Sequence, residues 1–258
     1  MTKTKLLHTA SIISAVIFVA AEALIFYLIH IKHLSTDISL HYLSIQIAAL
    51  FALIFMIERV ALFAVEGKSI KSALCPKDGI LIFLAMLFTL GADYHLVASE
   101  EMNRMAGMLF FIGTQVCIFL HLFLKESNEK LRKIHLAVRL SSMVVLVLAS
   151  FIVLGDSADA LAIVSLIYYA NLLTSMIFAP REKWGGKLLC IGLVLFALCD
   201  INVGLVVLHD LYGGFEEGSF LYLLTHSGVD LAWIFYIPSQ TIIPLTLRIR
   251  EKTQKLDI

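Results

Sequence analysis

Residues 187–209 read Lys-Leu-Leu-Cys-Ile-Gly-Leu-Val-Leu-Phe-Ala-Leu-Cys-Asp-Ile-Asn-Val-Gly-Leu-Val-Val-Leu-His, an apolar run with one carboxylate near its middle. About 20 apolar residues in a helix, each rising about 1.5 Å, cross the hydrocarbon core of a bilayer. The run therefore predicts a membrane-spanning helix that carries Asp200 near mid-depth. Because a central Asp costs about 2.5 to 3.5 kcal/mol on insertion scales, we expect Asp200 to face protein or a wet cavity and to be functional.

The composition of the whole chain is that of an integral membrane protein. Of its 258 residues, 60% are hydrophobic, against about 45 to 50% in soluble domains. The formal net charge is zero and long basic runs are absent, so no nucleic-acid partner is expected. The four cysteines form no C-x-x-C pair, and no H-x-x-x-H or H-E-x-x-H motif lies within a predicted helix. Neither a metal site nor a cofactor is therefore expected.

Eight apolar segments are each long enough to span a bilayer. They are residues 6–31, 39–65, 78–98, 105–124, 134–154, 159–179, 187–209 and 219–247. The runs are continuous rather than alternating, which favours helices over a barrel. The sequence thus predicts an all-α integral membrane protein in which residues 1–258 form a single polytopic domain of eight transmembrane helices.

The distribution of basic residues predicts the orientation of these helices. Sixteen of the 20 Lys and Arg residues fall in the N-terminus, the C-terminal tail and the connections after the second, fourth and sixth segments. The other connections hold only Lys32 and Arg104. Because cytoplasmic loops are enriched in Lys and Arg, both termini are predicted to be cytoplasmic. Short outer loops and the lack of an N-x-S/T site favour a bacterial inner membrane.

Polar residues cluster at one depth in this otherwise apolar chain. Counting about 1.5 Å per residue places Asp93 and Asp200, on the third and seventh helices, at roughly the same level. The other residues near this slab are Glu22, Glu58, Gln115, Asn171, Asn202, Tyr236 and Gln240. Together they predict an internal polar chamber. Considered alone, each of Gln115, Asn171 and Asn202 is better explained as a residue that forms hydrogen bonds between helices.

Two short matches indicate an internal repeat. Residues 87–93, Leu-Phe-Thr-Leu-Gly-Ala-Asp, resemble residues 195–200, Leu-Phe-Ala-Leu-Cys-Asp, with one residue deleted. Residues 112–115, Ile-Gly-Thr-Gln, resemble residues 237–240, Ile-Pro-Ser-Gln. They predict two parallel repeats of four helices about an axis along the membrane normal. Chance similarity between Leu- and Phe-rich helices is the alternative.

The chain also resembles the YhhN family of lysoplasmalogenase-like membrane proteins. The matching pieces, spread over nearly the whole chain, are Gly107-x-x-x-Phe111, Tyr169 with Met176, Gly192-x-x-x-Phe196-x-x-Cys199-Asp200, and Phe235-Tyr236-x-x-x-Gln240-x-Ile242-Ile243. Gly91-Ala92-Asp93 stands where the family usually has adjacent Gly-Asp. The sequence departs from the family pattern at three positions. Gln115 stands in place of a His, Ile118 in place of an aromatic residue and Cys199 in place of a Ser.

This resemblance implies hydrolysis of the vinyl-ether bond of lysoplasmalogen or a related lysolipid, so a lysophospholipid or another membrane lipid is the expected partner. The chemistry suits two carboxyls in different protonation states, one acting as acid and the other activating water. Asp93 and Asp200 are the catalytic candidates. The candidates for substrate contacts are Gln115, Asn171, Tyr236, Gln240, Glu58 and Asn202.

Two other readings of the same residues stay open. In a proton- or ion-coupled transporter, or in a lipid-binding membrane protein, the aspartates would carry protons or coordinate an ion. In a purely structural bundle, the polar slab would only fix the packing of the helices.

Overall fold

Every regular element in the described part of the chain is a helix. The structure is a computed structural model, and it describes residues 3–32, 38–75, 79–99, 103–155, 158–183, 185–211, 214–225 and 230–248. The α-helices are α1 Lys3–His30, α2 Ile38–Val65, α3 Ile70–Ala73, α4 Ile80–Asp93, α5 Arg104–Lys125, α6 Glu129–Val153, α7 Ala160–Phe178, α8 Gly186–Leu211, α9 Phe220–Thr225 and α10 Leu231–Leu245. A π-helical turn, Tyr94–Ala98, follows α4, and short 3₁₀ turns follow α7 and α10.

Seven helices within the described ranges are long and apolar enough to cross a membrane. They are α1, α2, α4 with its π-helical turn, α5, α6, α7 with its 3₁₀ turn, and α8. The prediction of an all-α integral membrane protein is therefore confirmed, and these helices correspond to the first seven predicted segments. Residue 78, the predicted start of the third segment, lies outside the described residues.

The eighth predicted segment is not confirmed as one spanning helix. Two helices, α9 and α10, occupy residues 219–247, and residues 226–229 between them lie outside the described ranges. Although α10 is short, it runs between the same two ends of the bundle as α2. Trp233 packs on His41 near the start of α2, with ring centroids 4.3 Å apart, and the Leu247 carbonyl accepts a hydrogen bond from Arg59 near its end.

One end of the bundle gathers basic residues from several helices. Lys125 and His121 near the end of α5 pair with Glu182 in the connection between α7 and α8. Arg248, just after α10, donates to Ser11 in the first part of α1 at 3.1 Å. We call this the basic end, and it carries the connections in which the sequence places most Lys and Arg residues. Residues 1–2 and 249–258, the predicted cytoplasmic termini, lie outside the described residues.

Six helices pack side by side in a closed ring in the order α2, α4, α5, α7, α8 and α10. Two helices lie outside this ring, α1 against α2 and α10, and α6 against α7. The neighbours repeat between the halves of the chain: α1 packs on α2 as α6 packs on α7, and α4 packs on α5 as α8 packs on α10. This arrangement agrees with two parallel repeats of four helices.

Two hydrogen bonds recur at matching positions of the repeats. The Thr114 hydroxyl lies 3.3 Å from the Ala85 carbonyl oxygen, and the Ser239 hydroxyl lies 2.8 Å from the Gly192 carbonyl oxygen. Both acceptors precede their aspartate by eight residues, and both donors directly precede a glutamine. Each bond joins the third helix of its half to the fourth.

Glycines allow these same helix pairs to approach closely, as small residues commonly do in membrane bundles. A Cβ atom added at Gly113 of α5 would lie 2.6 Å from the Phe88 ring of α4, and one at Gly192 of α8 would lie 2.8 Å from Ile243 of α10. In the ring order, α4 and α8 stand opposite each other, so Asp93 on α4 and Asp200 on α8 lie on opposite sides of one interior.

Candidate functional site

Asp93 is the last residue of α4 and is almost completely buried, with 3% of its surface exposed. The Tyr236 hydroxyl on α10 donates a hydrogen bond to Asp93 Oδ2 at 2.6 Å. The π-helical turn begins at the next residue, and such turns are frequent at functional sites. The bond links residues of the two halves of the chain.

Asp200 has an equivalent partner. It lies on α8, is partly buried, and accepts a hydrogen bond from the Tyr168 hydroxyl of α7 at 2.5 Å. Tyr168 itself is buried, with 4% of its surface exposed. Each carboxyl inside the ring thus has one tyrosine hydroxyl as its donor.

The two aspartates flank one aromatic cluster through the tyrosines that bind them. Phe196 lies between their tyrosines, with ring centroids 6.4 Å from Tyr168 and 5.4 Å from Tyr236. Aromatic faces stabilise nearby cations. The arrangement therefore offers two carboxyls beside aromatic rings.

Gln115 and Gln240 are fully buried, each with 0% of its surface exposed. Neither the Oε1 nor the Nε2 atom of either side chain has a hydrogen-bond partner. The sequence predicts both as substrate contacts, and the structure places them on opposite helices of the ring, α5 and α10.

Asn171, also predicted as a substrate contact, belongs to a separate cluster around Arg139. Arg139 Nη1 donates to Asn171 Oδ1 at 2.5 Å, and Nη2 contacts Ser175 Oγ at 3.0 Å and His135 Nε2 at 3.1 Å. The Arg139 guanidinium also lies over the Phe119 ring, 4.4 Å from its centroid. This cluster joins α6 to α7 and does not touch the aspartates through any of these bonds.

The remaining predicted contacts also lie apart from the aspartates. Glu58 accepts a hydrogen bond from Ser14 of α1 at 2.7 Å and lies towards the basic end. Asn202 donates to the Leu198 carbonyl of its own helix at 2.7 Å. Two residues along a helix point to different faces, so Asn202 does not share the face of Asp200.

Sequence reasoning missed two buried residues of the bundle. Tyr168 was not predicted, because the resemblance singles out its neighbour Tyr169. A signal for Tyr168 does exist: it shares one helix face with Asn171 and Ser175, at spacings of three and seven residues. Arg139 is not among the predicted site residues, and the structure buries it within α6 with 2% of its surface exposed.

Two small pockets lie at the basic end, with volumes of about 30 and about 10 Å³. Arg59 and Leu247 line both of them. Neither pocket is lined by Asp93 or Asp200, so the predicted chamber between the aspartates is not one of them. Among the described residues, no group of three or more His, Cys, Asp or Glu side chains could hold a metal ion.

Electrostatics at the basic end centre on Glu182. Burial opposes its ionisation, but the hydrogen bond from His121 and the charges of His121 and Lys125 outweigh that effect. The pKa of Glu182 is therefore lower than usual. The ionised carboxylate ties the end of α5 to the start of α8.

Comparison with known proteins gives one match. Curated proteins and solved structures yield none. The model of the YhhN family matches residues 47–246, a range that runs from α2 to the end of α10 and includes both aspartates and both tyrosines. The protein is thus a membrane-embedded member of the YhhN family.

Proposed function

We propose that the protein hydrolyses the vinyl-ether bond of lysoplasmalogen or a related alkenyl lysolipid, with Asp93 and Asp200 as the acid and base. The observation that carries this proposal is the pair of aspartates inside the ring, each held by a tyrosine hydroxyl, with Phe196 packed on both tyrosines. The family resemblance supplies the substrate class.

The reaction needs one proton donor and one proton acceptor. The protonated aspartate gives its proton to the alkenyl carbon farther from the ether oxygen, which leaves an oxocarbenium ion. The second aspartate, as carboxylate, removes a proton from water while the water oxygen bonds to the cationic carbon. The resulting hemiacetal breaks its bond to the glycerol oxygen, which takes up the hydroxyl proton, and releases a fatty aldehyde. The aspartate pair regains its single proton with the roles exchanged.

The surroundings favour this chemistry. The rings of Phe196, Tyr168 and Tyr236 lie beside the carboxyls, and aromatic faces attract a developing cation. The tyrosine hydroxyls fix the carboxyl orientation, as positioned groups must in acid–base catalysis. The apolar alkenyl chain of the substrate would lie in the hydrocarbon of the bilayer around the ring.

Purified protein in lipid nanodiscs, given a 1-alkenyl lysophospholipid, tests the proposal. We expect aldehyde release, and we expect Asp93→Asn and Asp200→Asn each to lower it by about 100-fold or more. Asp159→Asn is the matched control, because Asp159 caps α7 through Ala162 N at 2.7 Å and Asn caps helices equally well. Failure of the unaltered, folded protein to release aldehyde would rule the proposal out.

A second candidate, proton- or ion-coupled transport through the same aspartates, is favoured by one observation. The pockets at the basic end do not reach Asp93 or Asp200, and a proton or small ion needs less room than a lysolipid. Proteoliposomes with a pH-sensitive dye inside would then show a pH-driven flux that Asp93→Asn abolishes. Aldehyde release without flux would reject this candidate.

A further inference from the structure

Gln115 and Gln240 place two buried carboxamides with no hydrogen-bond partner inside a membrane bundle. Burying an amide without replacing its hydrogen bonds to water costs free energy, and lipid offers no substitute donor or acceptor. Native proteins rarely leave such groups unmet, and an ordered water is the usual remedy.

The two amides lie at related positions, each one helical turn nearer the basic end than an aromatic ring that contacts Phe196. Gln240 lies one helical turn from Tyr236, and Gln115 lies one turn from Phe111, each on the same face and towards the basic end. Tyr236 and Phe111 both contact Phe196, with ring centroids 5.4 and 5.6 Å apart. Both glutamines therefore belong to the layer next to the aspartates.

The backbone carbonyl of Gln240 lacks its usual helical donor. In a regular helix its carbonyl would accept a hydrogen bond from the N–H of residue 244, but that residue is Pro244 and has no N–H. In membrane helices, carbonyls freed by proline are commonly satisfied by waters or neighbouring side chains. The side chain of Gln240 thus brings one acceptor and one two-hydrogen donor to a place where the helix itself lacks a backbone donor.

We infer that Gln115 and Gln240 bind water molecules inside the ring, next to the aspartates. Water fits because each carboxamide needs both a donor and an acceptor, and water supplies both. A metal cation would leave the Nε2 hydrogens unmet, and a carboxylate would leave Oε1 unmet. The water site is independent of the proposed hydrolysis, although water held there lies where that reaction would consume it.

The basic end is the side from which this water enters. His121 lies six residues beyond Gln115 on α5, and Thr246 lies six residues beyond Gln240, a rise of about 9 Å along each helix. Both of these residues line the pocket of about 10 Å³ at the basic end. The polar pocket and the glutamine layer are therefore separated by less than two helical turns.

Water-edited solid-state NMR on the unaltered protein in lipid bilayers tests the site directly. We expect magnetisation from water to reach the side-chain amides of Gln115 and Gln240, which are identified by their loss in Gln115→Leu and Gln240→Leu. The Asn171 side-chain amide is the matched control, because it is equally buried but donates to the Ile167 carbonyl. Transfer to the glutamines no faster than to Asn171 overturns the inference.

Thiol labelling in a cysteine-free background tests water access to the glutamine positions a second way. It also identifies the membrane face from which water enters. We expect Gln115→Cys and Gln240→Cys to react with a small hydrophilic methanethiosulfonate at least 10-fold faster than Leu172→Cys and Leu193→Cys, which are equally buried. In sealed vesicles, the reagent should act only from the face that carries the basic end. Equal rates at all four positions, or reaction only from the opposite face, contradict the inference.

Discussion

Tyrosine hydroxyls distinguish Asp93 and Asp200 from the other intramembrane acids at the level of single residues. Glu22 and Glu58 accept bonds from serines on a neighbouring helix, which is typical of contacts that hold helices together. The aspartates instead receive bonds from bulky tyrosines that also build the aromatic layer around Phe196. The same side chains thus orient the carboxyls and shape the space in front of them.

Removing either hydroxyl should therefore weaken the site. We expect Tyr236→Phe and Tyr168→Phe each to lower aldehyde release by roughly 10- to 100-fold, since a hydrogen bond to a charged group contributes about 1.5 to 3 kcal/mol. Tyr169→Phe is the control, because Tyr169 is half-buried beside Tyr168. Steady-state rates with the alkenyl lysolipid measure the effect, and equal rates for all three variants would contradict it.

The sequence predicts the two aspartates but only one of their tyrosines. An acid in the middle of an apolar run is conspicuous because of its desolvation cost. Tyr168 and Tyr169 are adjacent, and only packing against α8 decides which of them turns inward. Arg139 was missed for a related reason: it lies ten residues into α6, where a long side chain could equally reach the membrane surface.

Among the helices, the contact of α6 with α7 depends strongly on Arg139. Arg139→Met would leave Asn171 Oδ1 and Ser175 Oγ without this donor inside the protein. We expect a loss of about 2 to 4 kcal/mol in the free energy of unfolding. Arg132→Met is the matched control on the same helix, because Arg132 is half-buried over the Phe123 ring. Chemical denaturation in detergent compares them, and similar losses for both variants would refute this role.

The stability of the fold should also depend on the absence of a side chain at the start of α8. A Cβ atom at Gly186 would lie 2.1 Å from the Ala179 carbonyl oxygen, whereas one at Gly204 of the same helix meets nothing within 4 Å. We expect Gly186→Ala to lower stability by about 1 to 3 kcal/mol, and Gly204→Ala to leave it unchanged or raise it by up to about 1 kcal/mol. The thermal unfolding midpoints of the two variants test this prediction. An unchanged midpoint for Gly186→Ala would contradict it.

Helix lengths were predictable where the apolar runs are uninterrupted. The first seven segments match helices because each run is long and free of internal breaks. The eighth segment is described as two helices, α9 and α10, on either side of the polar stretch 225–230, whereas Pro238 and Pro244 both lie inside α10. A polar stretch within a long apolar segment limits how far one spanning helix can be predicted from hydropathy.

For the molecule as a whole, Glu182 makes stability depend on pH. Its pKa in the folded state is below the usual value of about 4.3, so its ionised form favours folding. That contribution is complete above the unfolded pKa and is lost as pH falls through the lower folded pKa. We expect Glu182→Gln to be less stable at pH 7, with the difference shrinking below about pH 4.

Thermal unfolding across pH 3 to 7 measures that difference. Glu129→Gln is the control, because the Glu129–Lys133 pair is largely exposed, with 79% and 77% of the side chains accessible, and exposed pairs contribute little. A gap between wild type and Glu182→Gln that stays constant down to pH 3 would contradict the assignment.

The whole-molecule orientation is a further prediction. Because Lys and Arg concentrate at the basic end, we expect that end to face the cytoplasm. In a cysteine-free background, Lys71→Cys near the basic end should react with an impermeant maleimide only in inverted vesicles, and Glu217→Cys only in right-side-out vesicles. The reverse pattern would show the opposite orientation.

The closed ring has a consequence for how the chain could be divided. A cut in the connection between α5 and α6 yields two fragments, α1–α5 and α6–α10, and each contains only three of the six ring helices. The Asp93–Tyr236 bond joins one fragment to the other, whereas the Asp200–Tyr168 bond lies within the second. Each fragment expressed alone should therefore be inert, and co-expression should restore a working protein by complementation.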